Sequence, residues 1–192
     1  MIDIAPESVL AFWFSEQARS LLFEKDAAFD AEIRTRFGAA VAQAQSGALE
    51  HWCQDARGTL ALLILLDQMA RNIHRGSPLA FAGDARALAT AERAVASGFD
   101  RGFPFQMRRF FYLPHEHSED PAVQERSLEL FADLAVSCAT EDRAEAEEQF
   151  DYARRHAAIV ARFGRYPHRN ACLGRPSTPE EEAFLLQPGS SF

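Results

Sequence analysis

Apolar residues recur along the chain at intervals of three and four, the spacing that puts them on one face of an α-helix. Val9, Leu10 and Trp13 follow Pro6, which suits a first helical turn, and Phe29, Ile33, Phe37, Val41 and Ala44 form a second stripe that ends at Gly47. A turn holding Leu49, Trp52 and Cys53 comes next, and Asp55 to Gly58 separates it from a helix expected to start near Thr59. The first half of that helix, Leu60 to Leu66, is apolar on every side, as in a helix surrounded by other helices. It is expected to be the central element.

Gly76 ends this helix, Ser77 and Pro78 restart the chain, and an alanine-rich helix carrying Leu79, Leu88 and Val95 runs to Gly98. A short helix is expected around Met107 to Tyr112, with an irregular segment after Pro114. Asp120 as N-cap and Pro121 at the first position open a further helix, with Val123, Leu130, Leu134 and Cys138 inward. The next, capped by Thr140, begins with a solvated acidic face and gains a core stripe from Tyr152 through His156, Ile159 and Val160 to Phe163 before Gly164 closes it. Thr178-Pro179-Glu180-Glu181 then supplies the cap, proline and reach-back glutamate of a last short helix. No strand pattern stands out, and 34 alanines against 17 Val, Ile and Thr together favour helices. About nine helices with short links predict a single all-α domain over residues 1–192, built of antiparallel helix pairs. No thirty-four-residue period with aligned Trp, Gly, Tyr and Pro positions is present, so any repeat is structural and degenerate.

Charge narrows the function. The net charge of −8 repels a phosphate backbone, which argues against nucleic acid and against an anionic membrane surface. The apolar run from Leu60 to Leu66 is too short to cross a bilayer, and the start MIDIAPES has no basic stretch before an apolar one. Cys53, Cys138 and Cys172 are isolated and lack CxxC spacing, which suggests neither a disulfide framework nor a thiolate zinc site. A reducing cytoplasm is the expected compartment, with no membrane and no nucleic-acid partner. Serine-hydrolase, P-loop and dinucleotide motifs are absent.

Three segments carry candidate chemistry. Asp67 and Arg71, four apart on the central helix, sit at the end least able to reach solvent, and a buried pair of this kind must be further hydrogen-bonded. A structural ion pair explains them equally well, and Arg75 fits a helix-end cation. Pro114 to Asp120 holds His115, Glu116, His117 and Glu119; a metal would need these to converge from a loop, while Ser118 or Asp120 is better explained as an N-cap. The third segment, Arg162 to Pro176, has four arginines and no acid, whereas Glu141 to Asp151 has six acids and one base. Arginine's planar fork suits carboxylate or phosphate. A solvated basic loop, or an internal clamp on the acidic segment, is the plainer account. His156 falls on an apolar stripe, which usually means a hydrogen-bonded core histidine.

Together DQMARNIHRG, LPHEHSED and RFGRYPHRNACLGRPSTPEE resemble the motifs of the bacterial domain of unknown function 924 family, in the same order and over nearly the whole chain. AFWF with Phe37, Gly47, Leu49 and Trp52 is also similar. The resemblance implies an all-α, tetratricopeptide-like right-handed helical array and carries no biochemical activity with it. Its polar positions fall on Asp67, Gln68, Arg71, Asn72 and Arg75, on His117, Ser118, Glu119 and Asp120, and on Gly164, Arg165, Pro167, His168, Arg169 and Asn170. Met69 and Ala70 stand where that pattern has Phe and Pro or Ser, and His115 where it is apolar or aromatic, which sets the His-x-His pair aside as a metal site.

The expectation is a cleft that binds a small anionic molecule, a phosphate or carboxylate compound, through Asp67, Arg71, Asn72, His117, Glu119, Arg165, His168, Arg169 and Asn170. His117 and His168 are the candidate acid–base groups, with no cofactor and no metal. The rival is a tetratricopeptide-like module whose groove holds an acidic peptide. A third possibility is that the motifs only lock helices together, with every arginine paired internally.

Overall fold

The computed structural model describes residues 4–190, so the first three residues of the acidic start and the last two of the chain lie outside it. Among the described residues there is no strand; the chain is all-α. These residues cluster into two compact units. The first runs to Arg75 and includes Leu79–Pro114; the second joins Gly76–Pro78 to the residues from His115 onward.

In the first unit, α1 (Pro6–Trp13) has proline at its first turn, and a short α2 (Glu16–Arg19) is capped by Ser15. Asp26 caps α3 (Ala27–Ser46), and Gly47 ends it with φ of 86°, in the left-handed region a side chain would resist. Phe29, Ile33, Phe37, Val41 and Ala44 are buried as their spacing predicts. The central helix starts earlier than expected. Asp55 accepts from Gly58 N at 2.8 Å and caps α4 (Ala56–Leu63), which continues through a π-helical turn, Ile64–Met69, into α5 (Ala70–Ile73). Every residue from Gly58 to Ala70 is buried, as the all-apolar run implied.

A close backbone approach fixes the start of this helix. A Cβ on Gly58 would lie 2.2 Å from the Trp52 carbonyl oxygen. Gly58→Ala is therefore expected to cost about 1–3 kcal/mol, the usual penalty of overpacking, in urea unfolding. A variant as stable as the parent would show that the Glu50–Gln54 turn yields freely.

The alanine-rich helix differs from expectation. Helix α6 (Asp84–Ala96) buries Ala87, Thr90, Ala91 and Ala94, while Leu88 and Val95 are only half-buried. Leu79 lies outside it, exposed, in the turn Pro78–Phe81. Small side chains let α6 pack closely on α4, so bulk is not what marks its inner face. After α7 (Phe105–Arg108) comes the helical turn α8 (Leu113–Glu116), so the irregular segment expected after Pro114 begins two residues later and runs from His117 to Asp120.

The second unit is built on α9 (Pro121–Ser137) and α10 (Arg143–Phe163), packed side by side. Asp120 caps α9 through Ala122 N, as expected. Its inner face holds Gln124 and Ser127 with Leu130, Phe131 and Leu134; Val123 and Cys138, expected inward, are only half-buried. Ile159, Val160 and Tyr166 form the unit's core, with Phe163 and Phe184 against it. Gly164 ends α10 with φ of 68°, and Thr178 opens α11 (Pro179–Leu185) through the predicted capping box with Glu181.

Candidate functional site

The first unit ties its motif residues to carboxylates. Asp67 and Gln68 lie on the π-helical turn, 2% and 8% exposed, and Gln68 Nε2 donates to Asp67 Oδ2 at 2.5 Å. Arg71 Nη1 is 3.0 Å from Asp67 Oδ1 and also donates to Asp84 Oδ1 at 3.0 Å, while its Nη2 donates to Asp84 Oδ2 at 3.1 Å. Asn72 Nδ2 donates to Asp30 Oδ1 at 2.7 Å, and Arg75 grips the same carboxylate from Nε and Nη2. Arg75, read as a helix-end cation, thus bridges to α3. Asp67, Arg71 and Asn72 are engaged within this unit as a frame.

The second unit gathers the remaining motif residues. Arg165 donates to both oxygens of Glu181, at 2.6 and 2.8 Å, and to the Pro176 carbonyl at 2.9 Å. That fork holds the Glu181 carboxyl at about 2. Arg175 forks onto Glu119 at 2.6 and 2.9 Å, and Tyr166 N–H donates to Glu119 Oε1 at 2.8 Å. Burial works against the charge on Glu119, yet these donors hold its carboxyl below the ordinary range. Arg162 donates to Glu180 at 3.0 and 2.9 Å. The basic segment is thus an internal clamp, but on Glu119, Glu180 and Glu181 rather than on the acidic stretch Glu141 to Asp151. Asn170 is buried and its Nδ2 donates to Ser177 Oγ at 3.1 Å, pinning the turn that follows.

A different group meets at Tyr166. Its ring centroid is 5.6 Å from that of His156 and 5.6 Å from that of His168, and the Arg169 guanidinium lies 4.5 Å above it. The His117 ring is 6.2 Å from His156. Tyr166 Oη donates to the Glu116 carbonyl at 2.5 Å and accepts from Gln124 Nε2 at 2.9 Å. Gln124 Nε2 also faces the carbonyls of Glu116 and Ser118 at 2.7 and 2.6 Å, so one buried amide fixes the backbone on both sides of His117. His117 and His168 are half-buried, Arg169 is buried, and His156 is 3% exposed.

His156 Nδ1 lies 3.0 Å from the Tyr152 carbonyl and 3.4 Å from Glu116 Oε1. The second contact is an ion pair only if the ring is protonated. Burial first, and then the positive neighbours His117, Arg169 and His168, push its pKa down to about 3, so at neutral pH the ring is uncharged and donates from Nδ1. Burial likewise pushes the Tyr166 phenol up, and it stays a neutral donor. Among the described residues no group of three or more His, Cys, Asp or Glu is placed to hold a metal ion.

The comparisons identify a family. A model for a bacterial protein of unknown function, DUF924, matches residues 9–189. The chain belongs to the DUF924 family. A solved structure of a protein of unknown function from Agrobacterium tumefaciens is similar at 38% sequence identity and a TM-score of 0.81, covering 94% of this chain and 96% of that one. No curated protein matches. The DUF924 fold is therefore all-α. Among the described residues no helix is long and apolar enough to cross a membrane. Sequence reasoning named His117, His168 and Arg169, which lie near Tyr166 and His156 in the structure, and gave no role to Gln124 or Tyr166, while Glu116 entered only among the candidate metal ligands. The one available signal was Gln124 at an inward helical spacing from Ser127 and Leu130, where an amide invites the question of what it bonds.

Proposed function

We propose that the second unit binds a small anion, a phosphate or carboxylate compound, through His117, His168 and Arg169. The observation that supports this is the meeting of three imidazoles and a guanidinium around Tyr166, where positive neighbours help to keep His156 uncharged. Imidazole and guanidinium N–H groups match the acceptor oxygens of a phosphate or carboxylate. Glu119, Arg165 and Asn170 form the frame, since their bonds close on Arg175, Glu181 and Ser177. Asp67, Arg71 and Asn72 hold the first unit in the same way. His117 and His168 bring acid–base capacity to a bound ligand.

The test is thermal unfolding with inorganic phosphate, acetate and an acidic peptide, since a ligand that binds only the folded state raises the midpoint. A rise with phosphate or acetate that His168→Ala removes is the expected result. A rise that His168→Ala leaves intact overturns the assignment. The rival, a tetratricopeptide-like module holding an acidic peptide, draws on the paired helices α9 and α10 and on exposed Val136 and Leu186. A response to the peptide alone favours it.

A further inference from the structure

We infer that an open cavity in the first unit binds a free α-amino acid with an apolar side chain. This site is independent of the anion reading above. The cavity has a volume of about 360 Å³, at the small end of the range for ligand pockets, and is lined by α1, α2 and α3. Its floor is apolar: Phe12 and Phe29 stack with ring centroids 5.8 Å apart, and buried Ala18 completes that part of the lining. Phe29 opens the inward stripe of α3. Glu32 and Arg36 follow it at three and seven residues, so a charged pair stands on the side of the helix that carries the aromatic floor.

The rim thus holds one charge of each sign. Arg36 Nη1 donates to Glu32 Oε1 at 2.9 Å, and both side chains are exposed. The guanidinium lies 4.4 Å from the Phe12 ring centroid and 5.3 Å from that of Phe37, so stacking and the ion pair together orient it before any ligand arrives. Its Nε and Nη2 make no hydrogen bond among the described residues, and neither does Glu32 Oε2. Ser15 Oγ accepts from Ala18 N at 3.2 Å, which leaves its hydroxyl hydrogen to donate. Because the pair is neutral as a whole, a simple anion loses against Glu32 much of what it gains from Arg36, and a simple cation the reverse. A molecule with an ammonium and a carboxylate on one carbon answers both charges at once. The carboxylate takes the open N–H edge of Arg36 and the Ser15 hydroxyl, the ammonium takes Glu32, and an apolar side chain lies on Phe12 and Phe29.

The test follows the backbone amide signals of the isotope-labelled full chain during titration with L-phenylalanine, its deaminated analogue phenylpropionate and its decarboxylated analogue phenethylamine. The expected result is a shift of the Ala18 and Phe29 signals by L-phenylalanine with a Kd on the order of 1 mM, and several-fold weaker binding of either analogue. Glu32→Gln is expected to erase the preference over phenylpropionate, and Arg36→Gln the preference over phenethylamine. Both positions are exposed on α3, so the variants keep the fold, and the same amide spectrum reports it. Equal binding of the three compounds by the parent overturns recognition of the zwitterion. Preferences that survive both substitutions overturn the assignment to Glu32 and Arg36. If L-phenylalanine moves neither signal, the site itself falls, whatever phosphate or acetate does at Tyr166.

Discussion

Asp67→Ala is expected to lower the unfolding free energy by about 3 kcal/mol, the low end of the range for breaking a buried ion pair from one side. The substitution removes the acceptor of Gln68 Nε2 and one of two carboxylates on Arg71, in a position only 2% exposed. Arg71 keeps Asp84 on both nitrogens, at 3.0 and 3.1 Å, and its side chain is 20% exposed, which is why the upper end is not expected. Urea unfolding of the full chain measures it. A loss below about 1 kcal/mol would put the pair in the class of surface salt bridges and sink the idea that it braces the first unit. Asp84→Ala, at the half-buried partner, should cost less than Asp67→Ala; the reverse order would mean that Arg71 depends on Asp84 more than on Asp67.

That network also shows where sequence stops being informative. The Leu60 to Leu66 run disclosed a central helix, and the i,i+4 spacing of Asp67 and Arg71 disclosed their pairing. The π-helical turn that carries Asp67 left no mark, because one widened turn barely shifts an apolar pattern that is apolar all round. Asp84 as the second partner is thirteen residues away and depends on how α6 packs, which no local rule supplies. Caps are local and were largely legible: Pro6, Gly47, Asp120, Gly164 and the Thr178 box stand where their side chains or φ angles require, whereas Thr140, expected to cap α10, lies inside the turn Thr140–Asp142 and Asp142 precedes the helix. The inner face of α6 was not, since alanine is as common outside as inside in this chain.

The candidate site was legible in part for the same reason. His117, His168 and Arg169 announce themselves as chemistry-bearing residue types in otherwise core-forming sequence. Their meeting point does not, because it is set by Tyr166 and Gln124, which sit 42 positions apart and join through one hydrogen bond. The arginines read as ligand clamps, Arg71 and Arg165, close on internal carboxylates instead. A planar fork matches an aspartate of the same chain as well as it matches a ligand, and only distances decide.

Acid is expected to destabilise the protein well above the carboxylate range, and His156 is the reason. Its ring titrates at about 3 when folded against an ordinary value of 6.5. Above pH 6.5 the ring is neutral in both states and stability is full. As pH falls below that, the unfolded chain takes a proton that the folded one refuses, so stability is lost at about 1.4 kcal/mol per pH unit until the folded ring protonates as well. Glu7, Glu119 and Glu181, all held below 4.5, add a loss of the same sign that sets in as pH approaches that value, so the upper part of the window from 6.5 to 4.5 is where the histidines dominate. Within it the loss from His156 reaches roughly 2–3 kcal/mol. His74, lowered by burial and by Arg34, contributes in the same direction. The slope is therefore read as the difference between the parent and His156→Gln in urea unfolding without added anion, where the variant loses most of the pH dependence whatever its stability at pH 7. If the two chains lose stability in parallel between pH 6.5 and 4.5, His156 is protonated in the folded state, the Glu116 contact is a standing ion pair, and the picture of a neutral ring held down by burial and by its cationic neighbours is wrong.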